Sequence, residues 1–382
     1  MKHKEIIIIA ILFSLALTFG CIGESKPTNE TKLDVEQGVG IVGKLKVDEL
    51  HPGLEGYISL DVRSNFEGEG ASNVMIAIDN VKPFKIVECG GEHEPNDNRD
   101  CSGQLDMDNG LPVRMHKTKK LIPGDEINVF WRLKAPGKDE ISDIALKHPI
   151  YYSTAYDYNV KFHQNIIFMS QNEMIKRRQA GEDYQISGES GNTAGELRFS
   201  GSTQQPIIYF FDYSPNSGQE GNFNFATQYL VENKGKGFPI SDVVIILEYP
   251  KSGIDVDTSS PEGKPNYEVY GWEKWSDFNN LNEKCNTGEE VRNCTDWIQS
   301  ILGDGYKHIT NNEDHIIVKV VKREDFIDSF SIYAPFVMTG DERTKLRDSN
   351  IPLKIYSFNV YAMYRYFTIG KDYITVYPVR GI

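Results

Sequence analysis

The 382-residue sequence predicts an all-β protein of two tandem antiparallel β-sandwiches, the second interrupted by a disulfide-tied insert. Three observations predict it. Apolar and polar residues alternate over short stretches, which is the period of a half-buried strand. The pattern of strands and turns occurs twice along the chain, and 382 residues is a length that suits two domains. Composition agrees: 20 Tyr and 19 Phe suit pleated surfaces, and 39 % hydrophobic residues suits strands that keep one face in water.

The chain opens with Lys2, His3 and Lys4, followed by an apolar or small run from Ile6 to Gly20 and then Cys21. A basic start and a short apolar stretch describe a secretory signal peptide over residues 1–20. The run is short for a bilayer span, which takes about 20 residues. Gly20-Cys21 resembles a lipobox, in which the Cys is lipidated and becomes the mature N-terminus; Thr18 stands where that motif has Leu. The alternative is an uncleaved signal anchor, and both place the rest of the chain outside. Residues 21–42 then read as the lipidated Cys and a flexible tether, because the stretch from Glu24 to Gln37 has no apolar period.

Residues 43–170 form the first predicted sandwich. Ile58, Leu60 and Val62 alternate with Ser59, Asp61 and Arg63; a turn with Asn65, Gly68 and Gly70 follows, and Val74, Ile76 and Ile78 make a second strand. Residues 171–203 read as a short helix and a Gly/Ser/Glu-rich linker. Residues 204–382 repeat the first pattern around an insert at 252–313. Phe223, Phe225, Tyr229 and Val231 precede a turn with Asn233, Gly235 and Gly237, and Val243, Ile245 and Leu247 follow it. Ser72-Asn73-Val74 aligns with Ser241-Asp242-Val243, and Ala135-Pro136 with Ala334-Pro335. Pro149 and Pro352 each open a Tyr-rich strand pair.

A strand, an Asn-x-Gly turn, and a small residue with Asn/Asp-Val entering the next strand together resemble the immunoglobulin-like repeats of archaeal surface proteins, including CARDB-like adhesion modules. The resemblance covers Gly43 to Ser170 and about Gln204 to Ile382. It implies immunoglobulin-like sandwiches on a cell-surface lipoprotein that binds or spaces outside the cell; one sandwich fold hosts many roles.

Cysteine usage points to the same compartment. Apart from Cys21, the four cysteines fall into two close pairs, and an exported chain favours the disulfides Cys89–Cys101 and Cys285–Cys294. Zinc would want a C-x-x-C spacing or nearby His, and only His93 lies inside either loop. Asn29 and Asn293 match the N-glycosylation pattern.

Two regions are candidate sites. Glu92, Glu94, Asp97 and Asp100 lie in the first cysteine loop and could gather around Ca²⁺, although the spacing matches no calcium loop and a solvated acidic loop explains them as well. In the insert, Tyr267, Tyr270, Trp272, Trp275, Phe278, Trp297 and Tyr306 offer a sugar-stacking or protein-binding surface. The same aromatics are also the material an ordered insert would use for a small core of its own.

Catalytic signatures are missing from the sequence: there is no G-x-S-x-G, H-E-x-x-H, Walker loop or dinucleotide fingerprint, and no cofactor is expected. A net charge of −14 argues against nucleic acid as a partner. The sequence therefore predicts a non-enzymatic protein on the outer face of the cell membrane that binds an envelope protein or glycan. Its alternatives are a structural spacer, or a secreted hydrolase with a site between the modules.

Overall fold

The computed structural model describes residues 39–40, 46–47, 50–64, 70–79, 81–91, 114–122, 124–141, 145–181, 190–193, 195–203, 221–259, 263–326 and 328–378. The alternating stretches are strands, as the period required. In β3 (Glu55–Ser64) the side chains of Ile58, Leu60 and Val62 are fully buried while their neighbours face outward. β7 (Glu126–Lys134) does the same with Ile127, Val129, Trp131 and Leu133. These two pair antiparallel at the centre of a first sheet, with β1 (Val39–Gly40), β2 (Lys46–Val47) and β5 (Lys85–Gly91) around them.

The second repeat builds a matching sheet in the order β10 (Leu197–Thr203), β11 (Phe223–Asn233), β19 (Ser329–Met338) and β14 (Ile254–Val256). Both sheets pack against one large sheet that runs through both repeats. Its path begins with β15 (Glu273–Lys274), β18 (Ile316–Val321), β13 (Val243–Glu248) and β20 (Leu353–Val376). It continues through β8 (Leu146–Met169), β4 (Ala71–Asp79) and β6 (Arg114–Leu121). Two short strands flank the path, β9 (Ser190–Asn192) beside β8 and β12 (Phe238–Pro239) beside β20.

The centre of this sheet is what joins the halves. β8 and β20 each have 24 residues and pair antiparallel over their whole length, from Leu146 opposite Val376 to Met169 opposite Leu353. At about 3.4 Å per residue such a strand runs roughly 80 Å, longer than one sandwich needs. Each strand therefore serves both. Near its start β8 pairs with β4, and near its end Phe162 and Phe168 pack on Phe199, Tyr229 and Phe225 beneath the second repeat. β20 does the reverse: its first half pairs with β13, while Ile374 and Val376 are buried in the core of the first repeat. One continuous core results, running from Ile58 and Trp131 to Phe336 and Phe358. Residues Leu33–Ile382 make one compact unit.

The other face of the sheet differs between the halves. Under the second repeat, Val244, Ile246, Ile316, Val318, Tyr361 and Met363 form a separate core with Trp275, Phe278, Trp297, Ile298 and Ile301 of the insert. Three helices contribute to it, α3 (Trp275–Leu281), α4 (Cys294–Leu302) and α5 (Tyr306–Thr310); α2 (Asn266–Val269) puts Tyr267 into the main core instead, and α1 (Gln171–Ala180) lies in the linker. Under the first repeat, the equivalent face carries the exposed Ile369 and Tyr373.

Among the described residues, no helix is long and apolar enough to cross a membrane. Cys21, Asn29, Glu92, Glu94, Asp97, Asp100 and Cys101 lie outside the described residues; Cys89 falls in β5 with its side chain likewise undescribed.

Candidate functional site

The aromatic insert is the natural place to begin. Asn293 caps α4, its Oδ1 accepting from the N–H groups of Thr295 and Asp296. The helix then turns Trp297, Ile298, Ile301 and Leu302 to one face, all buried, with Asp296, Gln299 and Ser300 facing water. Trp275 and Trp297 expose nothing, and Phe278 is buried beside them. Trp272 is equally buried but joins the main core, donating from Nε1 to the Tyr333 carbonyl at 2.8 Å. Tyr267 is 5 % exposed. Burial pushes its hydroxyl up to about 12, with Glu268 adding to the shift.

These side chains are packing material: a ring with no accessible face cannot stack on a sugar. Only Tyr270, exposed and 4.5 Å from the Tyr333 ring, and the half-buried Tyr306 against Trp275 reach the surface. The structure thus does not bring the seven aromatics together as a contact surface. The Asn293 amide is engaged as well, its Nδ2 donating to Asn282 Oδ1 at 3.0 Å.

Cys285 and Cys294 form the disulfide, which closes the hairpin of β16 (Lys284–Asn286) and β17 (Val291–Asn293). Gly288 takes φ +87 at its turn, where the Ile240 side chain and carbonyl would crowd any Cβ. Asp242 ties the hairpin to the sheet. Its N–H donates to the Asn286 carbonyl, and its carboxylate accepts from Asn286 N–H, Arg323 N–H and Lys322 Nζ. The hairpin therefore holds Glu289 over the middle of the β8–β20 pair.

Beneath Glu289 lies a buried ion pair. Asp157 and Arg365 face each other across the two long strands, both nearly inaccessible. Arg365 Nη1 donates to Asp157 Oδ1 at 3.0 Å and Nη2 to Glu289 Oε1 at 2.5 Å. Asn73, in the left-handed region at φ 48, donates to Asp157 Oδ2 at 2.6 Å. Burial pushes the Asp157 carboxyl up, against the opposing pull of Arg365. Through the sheet, on the main-core side, the carboxylate of Glu196 is enclosed in a ring of tyrosines. It accepts from Tyr156 and from Tyr364, the latter at 3.1 Å. Burial, and after it the Glu196 charge, drives both hydroxyls well above the ordinary tyrosine range. Tyr366 beside them bonds Asn233 and the Gly237 N–H.

Both clusters clamp the strands that the sandwiches share. Partners 208 residues apart, such as Asp157 and Arg365, leave no trace in local sequence patterns. The one available signal is polar residues inside otherwise apolar Tyr-rich strands. Among the described residues, no group of three His, Cys, Asp or Glu side chains could hold a metal ion.

No family model matches the chain. No curated protein matches it either. Among solved structures, it is similar to the collagen adhesin (CNA) from S. aureus at 10 % identity and a TM-score of 0.16, covering 78 % of this chain and 81 % of that one. A putative membrane anchored protein from Corynebacterium diphtheriae aligns at 8 % identity and a TM-score of 0.15, covering 88 % of this chain and 89 % of that one. TM-scores this low establish no shared function.

Proposed function

We propose that this protein is a non-catalytic element of the cell exterior, held to the membrane through Cys21, whose two sandwiches act as one stiff support. The full-length pairing of β8 with β20 carries this reading. Two domains joined by a linker swing about it; two sandwiches that share their central strands have no such joint. The packed insert supports the same reading, since its tryptophans reinforce the sheet from behind. The Gly20-Cys21 junction and the polar stretch after it support a lipid anchor and a tether, in the manner of the CARDB-like surface lipoproteins the repeats resemble. A hydrolase is the weaker reading. It needs an open cleft with convergent carboxylates, whereas Asp157 and Glu289 converge on the guanidinium between them.

Calorimetry tests the stiffness. A single transition whose calorimetric and van't Hoff enthalpies agree is expected. Two transitions, one per repeat, would show that the shared strands do not couple the sandwiches. Intact mass and membrane partitioning of a Cys21→Ser variant test the anchor. Retention in the membrane at unchanged mass would remove it and leave the stiff body standing.

A further inference from the structure

Beyond Phe367, β20 has one neighbour among the described strands. Phe238-Pro239 of β12 pairs with Phe367 and Tyr366. Further along, Leu50 meets Val376 and accepts from the Tyr377 N–H. Between these two, residues 369–375 pair, among the described residues, with β8 alone.

The free side of this stretch can be read from its hydrogen bonds. The N–H groups of Tyr373 and Tyr377 bond the Asp372 side chain and Leu50 rather than β8, so odd-numbered residues turn their backbone groups outward. Ile369, Lys371 and Thr375 share that direction, and no described residue provides their N–H groups with an acceptor. Among the described residues the result is an open strand edge about seven residues long, closed at both ends by the protein's own chain.

The other repeat shows how the equivalent edge is used. Phe162–Gln164 follow Asp157 in β8 at the same distance as Gly370–Asp372 follow Arg365 in β20. On β8 that edge receives an added antiparallel strand, Ser190–Asn192. On β20 no described residue takes that place.

Its side chains are apolar and cationic. Ile369 is 58 % and Tyr373 44 % exposed. Lys371 lies over the rings of Tyr151 and Tyr373 at 5.4 and 5.2 Å, and Lys147 over Tyr373 at 4.5 Å.

We propose that the β20 edge at residues 369–375 binds an extended, acidic peptide segment of a partner protein as an added antiparallel strand. Main-chain hydrogen bonds would give affinity, and Lys371 with Lys147 would select acidic side chains flanked by apolar ones. A second copy of this chain is a poorer occupant. Two such edges bring their lysines together, and the ends blocked by Phe238 and Leu50 admit a short segment rather than a 24-residue strand. The proposal is independent of the anchor and of the stiffness of the body, so each can fail without the other.

The test uses the full-length protein and a fluorescent seven-residue peptide of alternating valine and glutamate, followed by anisotropy. The acidic peptide is expected to bind, and its lysine counterpart not. Lys371→Pro removes an outward N–H that β8 does not use and should weaken binding about tenfold or more. Lys371→Glu should exchange the preference toward the lysine peptide, and it serves as the test should the proline variant not fold. The proposal is overturned by no binding up to about 1 mM, by unchanged affinity in a folded Lys371→Pro variant, or by an unchanged charge preference in Lys371→Glu. Sedimentation showing a dimer that Lys371→Pro dissolves would assign the edge to a second copy and overturn it equally.

Discussion

The two repeats share a strand frame and differ in what covers the back of their common sheet. Under the second repeat, Val244 and Ile246 of β13 face the back and are sealed by the disulfide-tied insert. Under the first, β4 offers Met75 and the small Ala77 there, and β20 adds Ile369, Lys371 and Tyr373, which stay largely in water. Aligned positions have correspondingly different jobs. Asp242 holds the hairpin of the insert; Asn73, its counterpart in the repeat, instead donates to Asp157 at the seam. The lesson is that one sheet shared by two sandwiches can be sealed by a packed insert behind one of them and leave apolar side chains in water behind the other.

The contrast is broken most directly by truncating one aromatic on each face. Trp297→Ala empties a sealed core and should cost about 3–5 kcal/mol in urea denaturation. Tyr373→Ala on the open face should stay within about 0.5 kcal/mol. Equal losses would mean that both backs are equally packed.

At the seam, Asp157→Ala leaves the Arg365 charge buried with Glu289 alone, for a loss of about 3–5 kcal/mol. Replacing the pair together, as Asp157→Leu with Arg365→Met, should recover most of that loss. A double variant no better than the single one would show that the apolar pair cannot fill the site.

Opening the disulfide with Cys285→Ser and Cys294→Ser should remove about 2–3 kcal/mol by freeing a short loop in the unfolded chain. No change in the denaturation midpoint would show that Asp242 alone suffices to hold the hairpin.

The smallest effect concerns Glu273 in β15. Burial raises its carboxyl pKa, with Glu283, Asp277 and Glu268 adding to the shift. A raised folded-state pKa makes ionisation unfavourable to folding, so the cost is absent at pH below the ordinary value of 4.5 and sets in as pH rises through the raised one. Glu273→Gln should therefore be slightly more stable than the parent at neutral pH and equal to it in acid. A pH-independent difference would point to packing instead of charge.

Much of the fold was legible in the residue order. Alternation located β3, β4 and β11, because a strand with one face in water writes its period directly into the sequence, whereas β13 is a continuous apolar run buried on both faces. The pairing of Cys285 with Cys294 followed from proximity along the chain. The aromatic insert was legible as a feature but not as a function. Trp275 and Trp297 read the same whether they face a partner or Val244, and only the sheet behind them decides. The β20 edge left without a described strand partner was invisible, since the pairing of a backbone N–H has no signature in residue type.

The sequence by itself determined the all-β class, the twofold repetition and the place of the tightest covalent tie, all of which depend on local period or short separation. Tertiary structure alone decided that β8 and β20 would each serve both sandwiches, that Asp157 would meet Arg365 beneath Glu289, and that Tyr156, Tyr364 and Tyr366 would gather around Glu196. Those outcomes rest on strand register between segments some two hundred residues apart. A slip of one residue in that register would turn every side chain of a long strand to the opposite face.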